Sequence, residues 1–101
     1  MIRVTVLYST SSRFDWDYYL STHTPLVERL GKPLGMISLT VDRCVSSLGG
    51  APSPYVCIAQ LLFQDEAALG ALLGQHGGEI LADIPNYTDA ATSMVVSAVA
   101  Q

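Results

Sequence analysis

His23 is the residue best placed to do chemistry in this chain. Trp16, Tyr19/Leu20, His23, Leu26/Val27 and Leu30 follow one another at steps of three and four, the spacing of one apolar face of a helix. The imidazole therefore points at whatever that helix covers. Histidine is the side chain that exchanges protons near neutral pH, as general base or general acid. Tyr19 lies one turn earlier on the same face, where a phenol can orient the imidazole or donate to a substrate oxygen. His23 and Tyr19 are the candidate catalytic pair. Trp16 one turn further back, Tyr8 at the end of the first strand and Tyr87 in a late connector are candidate walls of a substrate site. Asp83 and Asp89 flank the turn Ile84-Pro85-Asn86-Tyr87. A carboxylate there can accept a proton from His23, and Asp83 is counted with the substrate-binding residues. A satisfied core histidine, aromatic packing and turn capping are the plain structural readings of the same positions.

Other chemistries find little support. The two histidines and two cysteines are far apart in sequence, without the close ligand pairs of a metal site. No metal, haem or other cofactor is expected. Gly49-Gly50 reads as a hairpin feature, not a phosphate-binding loop. Cys44 and Cys57 are expected to approach each other across two strands as free thiols of a reducing cytoplasm. His76, beside Gly74 and Gly77-Gly78, is expected near the surface.

The elements that must position these groups can be read from periodicity. Ile2 to Tyr8 alternates as a strand, with Ile2, Val4, Val6 and Tyr8 on one face. Asp15 suits a helix N-cap, Asp17 suits the first turn, and Phe14 can staple onto Tyr19. Pro25 should kink or restart that helix, and Gly31 and Pro33 end it. Met36 to Val45 and Tyr55 to Phe63 are further strands, the latter apolar at nearly every position. Asp65 caps a second helix, whose stripe is Leu69, Leu72/Leu73, His76 and Ile80. Its glycines predict a break near His76. Ser93 to Ala100 is a last, uncharged strand.

The order βαββαβ points to an α+β, ferredoxin-like domain covering residues 1–101. A four-stranded antiparallel sheet would carry both helices on one face. The opposite face is then bare. Because the third and fourth strands are apolar on both sides, that face is expected to be greasy and covered by a second copy.

Three segments resemble the EthD family of the dimeric α/β-barrel superfamily. Phe14-Asp15-Trp16-Asp17-Tyr18-Tyr19-Leu20-Ser21-Thr22-His23-Thr24-Pro25-Leu26-Val27 is similar to its first helix, with the pattern His, any residue, Pro, Leu after a tyrosine-rich turn. Pro54-Tyr55-Val56-Cys57-Ile58-Ala59 is similar to its third strand. The stretch from His76 to Asp89 is similar to its second helix and connector. Thr24 stands where methionine or another apolar residue is frequent. The resemblance implies a homodimer and a histidine beside a cavity. It does not fix a reaction: relatives on the fold include lactone isomerases, cofactor-free monooxygenases, cyclases and haem proteins.

Composition agrees with a small-molecule role. Half of the 101 residues are hydrophobic and only 14% are charged, against about 25% in average domains. The excess of apolar side chains suggests an oligomer interface or an apolar pocket beyond a simple core. The net charge is −4 and the five basic residues are scattered, which argues against a nucleic-acid partner. The longest uncharged stretch is broken by glycines and prolines, so no membrane span is expected. Two functions stay open. One is a cofactor-independent isomerase, dehydratase or monooxygenase acting on an aromatic or lactone-like compound through His23. The other is a non-catalytic accessory protein of a catabolic or biosynthetic pathway that binds such a compound.

Overall fold

The computed structural model describes residues 1–101. Strands β1 (Ile2–Ser9), β2 (Met36–Arg43), β3 (Tyr55–Phe63) and β4 (Thr92–Ala98) form one antiparallel sheet in the order β2-β3-β1-β4. Helix α1 (residues 16–31) joins β1 to β2, and helix α2 (Glu66–Ala82) joins β3 to β4. This is the ferredoxin-like βαββαβ arrangement.

The alternation of β1 sets the layers. Ile2, Val4, Val6 and Tyr8 are buried, while the residues between them are only half-buried. Their cross-strand partners Phe63, Leu61, Ala59 and Cys57 share that inner face. Both helices lie over it and close the core.

Helix α1 is not uniform. Asp15 caps it, its carboxylate accepting from the Tyr18 amide at 3.0 Å, and Phe14 packs on Tyr19 with ring centroids 5.1 Å apart. The first α turn (Trp16–Tyr18) runs into a π-helical turn (Tyr19–His23), and then into the α-helix Thr24–Gly31. The Thr24 amide bonds the carbonyl of Tyr19, five residues back. Pro25 explains why. It has no N–H, and its ring collides with the carbonyl four residues earlier in a regular helix. Widening the turn before it relieves that collision. The helix is thus re-phased at Pro25 and continues without interruption to Gly31.

Helix α2 also differs from expectation. It does not break near His76 but runs unbroken through seventeen residues. Its start is fixed by Asp65, which accepts from the Ala68 amide at 2.9 Å. Ala68, Leu72 and Gly77 are buried, so packing offsets the roughly 1 kcal/mol that each glycine costs. His76 lies on the outer side, its Nδ1 2.8 Å from Glu79.

Gly35 makes the turn from α1 into β2. Its φ is +110°, and a Cβ there would lie 2.7 Å from the Cβ of Ala68, so only glycine fits. Cys44 and Cys57 are neighbours across β2 and β3, as expected: Arg43 pairs with Cys57, and the Cys44 amide donates to Val56 at 3.1 Å. Both thiols are free.

The outer sheet face carries no covering element. Its centre is apolar, with Leu7, Ile58 and Leu62, but Arg3, Thr5, Thr40, Asp42 and Gln60 interrupt it. It is therefore less greasy than the strand composition suggests, because the polar residues of β1 and β2 fall on this side. Strand β4 is open on both faces: Met94 and Val96 point inward and Val95 outward, each at least 49% exposed. No helix is long and apolar enough to cross a membrane.

Candidate functional site

The π turn brings Tyr19, His23 and Thr24 together at the inner face of α1, all three buried. The rings of Tyr19 and His23 stack, with centroids 5.6 Å apart and planes 17° from parallel. Tyr87, on the connector after α2, closes over the imidazole at 4.6 Å. Behind the ring stands Asp83, at the end of α2. The Nδ1 of His23 lies 2.9 Å from Asp83 Oδ2.

The Asp83 carboxylate is held from the other side as well. Its Oδ1 accepts from the Tyr18 hydroxyl at 2.6 Å and from the Asn86 side chain at 2.9 Å. Burial alone would push this carboxyl up. The donors Tyr18, Asn86 and His23 outweigh it, and the group is held below the ordinary carboxylate range. An ionised Asp83 keeps a proton on Nδ1 and leaves Nε2 free as the working nitrogen. Nε2 makes no hydrogen bond within the chain. Because no sealed side-chain nitrogen or oxygen lacks a partner, this atom is not sealed from solvent, and His23 is one of the residues that line the adjoining cavity.

That cavity lies between the helices and the sheet, with a volume of about 80 Å³. Val4, Val6, Ala59 and Leu61 form its floor, and Val27, Leu72 and Ile80 belong to its roof. The polar side chains on its wall are those of His23, Thr24, Tyr8 and Tyr19. Thr24 Oγ1 turns back to the Leu20 carbonyl at 3.4 Å. The Tyr8 and Tyr87 hydroxyls bond each other at 2.9 Å. Burial raises the phenol of Tyr8 and drives those of Tyr19 and Tyr87 well above the usual range, so all three are neutral hydrogen-bond donors at physiological pH. Cys57, beside Tyr19, is pushed up to about 12 by burial and is a neutral thiol.

Of the residues singled out from the sequence, His23, Tyr19 and Tyr8 border the cavity. Asp83 and Tyr87 contact His23 without lining it. Trp16 lies apart from the cavity. It packs on Phe14 and Tyr19 and carries the guanidinium of Arg43 over its ring at 4.5 Å. Asp89 takes the other role open to it, accepting from the Arg13 amide and the Ser12 hydroxyl. Tyr18 and Asn86 were not singled out. Tyr18 falls one position off the stripe of a regular helix, and the only sequence sign that the turn is re-phased is Pro25.

A family model for the EthD domain matches residues 8–91. The chain belongs to the EthD family. An EthD-like protein of Ralstonia eutropha JMP134 is 36% identical and superposes with a TM-score of 0.85, over 99% of this chain and 92% of that one. An EthD family protein of Bacillus halodurans C-125 is 19% identical, with a TM-score of 0.80 over 98% of each chain. SnoaB of Streptomyces nogalater, a cofactor-independent oxygenase, shares the fold at 11% identity and a TM-score of 0.69, over 99% of this chain and 92% of that one. No curated protein matches this EthD chain.

Proposed function

We propose that this EthD protein binds a small organic molecule in the cavity and moves a proton on it with His23. One observation carries the reading: an imidazole fixed by a carboxylate on its Nδ1 side, with Nε2 unbonded, lines an apolar cavity. In such a place Nε2 takes a proton from a carbon next to a carbonyl. Asp83 stabilises the imidazolium that forms, and a neutral phenol, Tyr19 or Tyr8, donates to the oxygen that gains charge. Return of the proton to another carbon is isomerisation; transfer of it to a β-hydroxyl, whose C–O bond breaks as water leaves and the enolate forms a C=C bond, is dehydration. The cofactor-independent oxygenase on the same fold supports chemistry that needs no bound helper group.

Exchange of the α-hydrogens of a small ketone or lactone for solvent deuterium, followed by NMR, tests this without knowledge of the natural substrate. The wild-type chain should accelerate the exchange. His23→Asn keeps a donor where Nδ1 stood and removes Nε2, so it should bind the same compounds and lose the exchange. Equal exchange rates in the two proteins would refute the assignment of His23. Binding with no exchange in either protein would make this a binding or accessory protein.

We further propose that two copies pair through the outer sheet face. The support is its uncovered centre of Leu7, Ile58 and Leu62, with the exposed Val95 of β4 diagonal to Leu7 on the same face. A stable pair of this kind buries at least about 1,200 Å² in total.

A further inference from the structure

Resting on the reading of the cavity as a ligand site, we infer that its ligand is an uncharged, elongated molecule with a hydrocarbon body, bound with its one oxygen-bearing end innermost. Three observations lead there. The first is depth. His23 and Tyr19 are 5% and 1% exposed, so these polar groups lie away from the cavity's mouth. Leu73, Leu81 and Met94 also line the cavity yet are 56%, 49% and 49% exposed, so they form its rim, between α2 and β4.

The second is charge. The wall holds no lysine or arginine, and the Asp83 carboxylate stands behind His23. A carboxylate or phosphate ligand would lose its hydration, meet no cation and face a like charge. A ketone, enol or alcohol oxygen needs only the donors present.

The third is size. At roughly 10–15 Å³ per water-sized occupant, the cavity's 80 Å³ holds about six non-hydrogen atoms. Beyond the rim the apolar surface continues. Val96, two residues along β4 from Met94 and on the same face, is 57% exposed. A ligand longer than the cavity lays its tail along Met94 and Val96 and takes that surface out of water.

Calorimetric titration of the purified chain with 2-alkanones of four to ten carbons, and with fatty-acid anions of matched length, tests the inference. Ketone affinity should rise about fourfold per methylene while the cavity fills. It should keep rising, less steeply, past seven carbons. The anions should bind at least tenfold more weakly. Met94→Asp should lower the ratio of decanone to pentanone affinity at least tenfold, and Leu73→Glu, on the opposite side of the rim, should lower it too. If the gain stops at six or seven carbons and neither variant changes the ratio, the elongated ligand is excluded, while the reading of a small-molecule cavity stands. Tighter binding of the anions overturns the uncharged ligand. Failure of every ketone to bind removes both the inference and the reading beneath it.

Discussion

His23 and Asp83 meet at 2.9 Å, Nδ1 to Oδ2, although sixty positions separate them in the chain. Each comes from a helix end or turn of special geometry: His23 closes the π turn of α1, and Asp83 is the C-terminal cap of α2. The pair ties the two helices together at the polar end of the cavity. It also gives Asp83 a measurable signature.

Asp83→Asn should change the acid limb of the stability profile. The folded-state pKa of Asp83 is lowered, so the folded chain binds this proton less readily than the unfolded one. The stabilisation is complete above the unfolded value of about 3.9 and is lost as pH falls through the lowered folded value. Thermal midpoints of wild type and variant should therefore differ most at pH 6–7 and converge toward pH 2–3. A gap that stays constant over this range would show that folding does not lower the pKa of Asp83. The same variant should slow the α-hydrogen exchange while leaving ketone affinity within a few-fold.

Ile58→Lys places a long cationic side chain near the centre of the outer sheet face, on a half-buried position between Leu7 and Asp42. In the proposed pair two such lysines meet across a symmetric interface. Sedimentation should show a dimer for the wild type and a folded monomer for the variant at micromolar concentration. A wild-type monomer, or a variant that remains dimeric, excludes this face as the contact.

Gly35→Ala should be among the most damaging single-methyl changes. The left-handed backbone costs about 1–2 kcal/mol for any L side chain, and the new Cβ would press on Ala68 at 2.7 Å. Together these predict a loss of about 2–4 kcal/mol, which in a chain of this length lowers the thermal midpoint by more than about 10 °C. A midpoint within 3 °C of wild type would contradict the turn geometry.

Local rules made much of the fold readable. The alternation of β1 gave its buried face, Asp15 and Asp65 announced the two helix starts, and the stripe through Tyr19 and His23 pointed at the cavity. What escaped were relationships that depend on assembled geometry. No local signal says that Asp83, and not Asp89, meets His23; that follows from where α2 ends over α1. Tyr18 escaped because a constant helical period turns it away from the site. The glycines of α2 suggested a break because propensity counts their cost and cannot see the packing of Ala68 and Leu72. The outer face was expected to be greasy from the third and fourth strands alone, and that expectation leaves out the polar residues that β1 and β2 turn to the same side.

The π turn has a consequence for comparing this chain with its relatives. A turn closed over five residues holds one residue more than its regular counterpart, so α1 behaves as a helix with an insertion absorbed into its length. Upstream of it Trp16 and Tyr18 follow one phase; downstream Val27 and Leu30 follow another. An alignment that slides α1 as a single rigid ruler will match one half and misassign the other. Where a relative lacks the proline and keeps a regular turn, the residue equivalent to His23 in space will stand one place away from it in sequence.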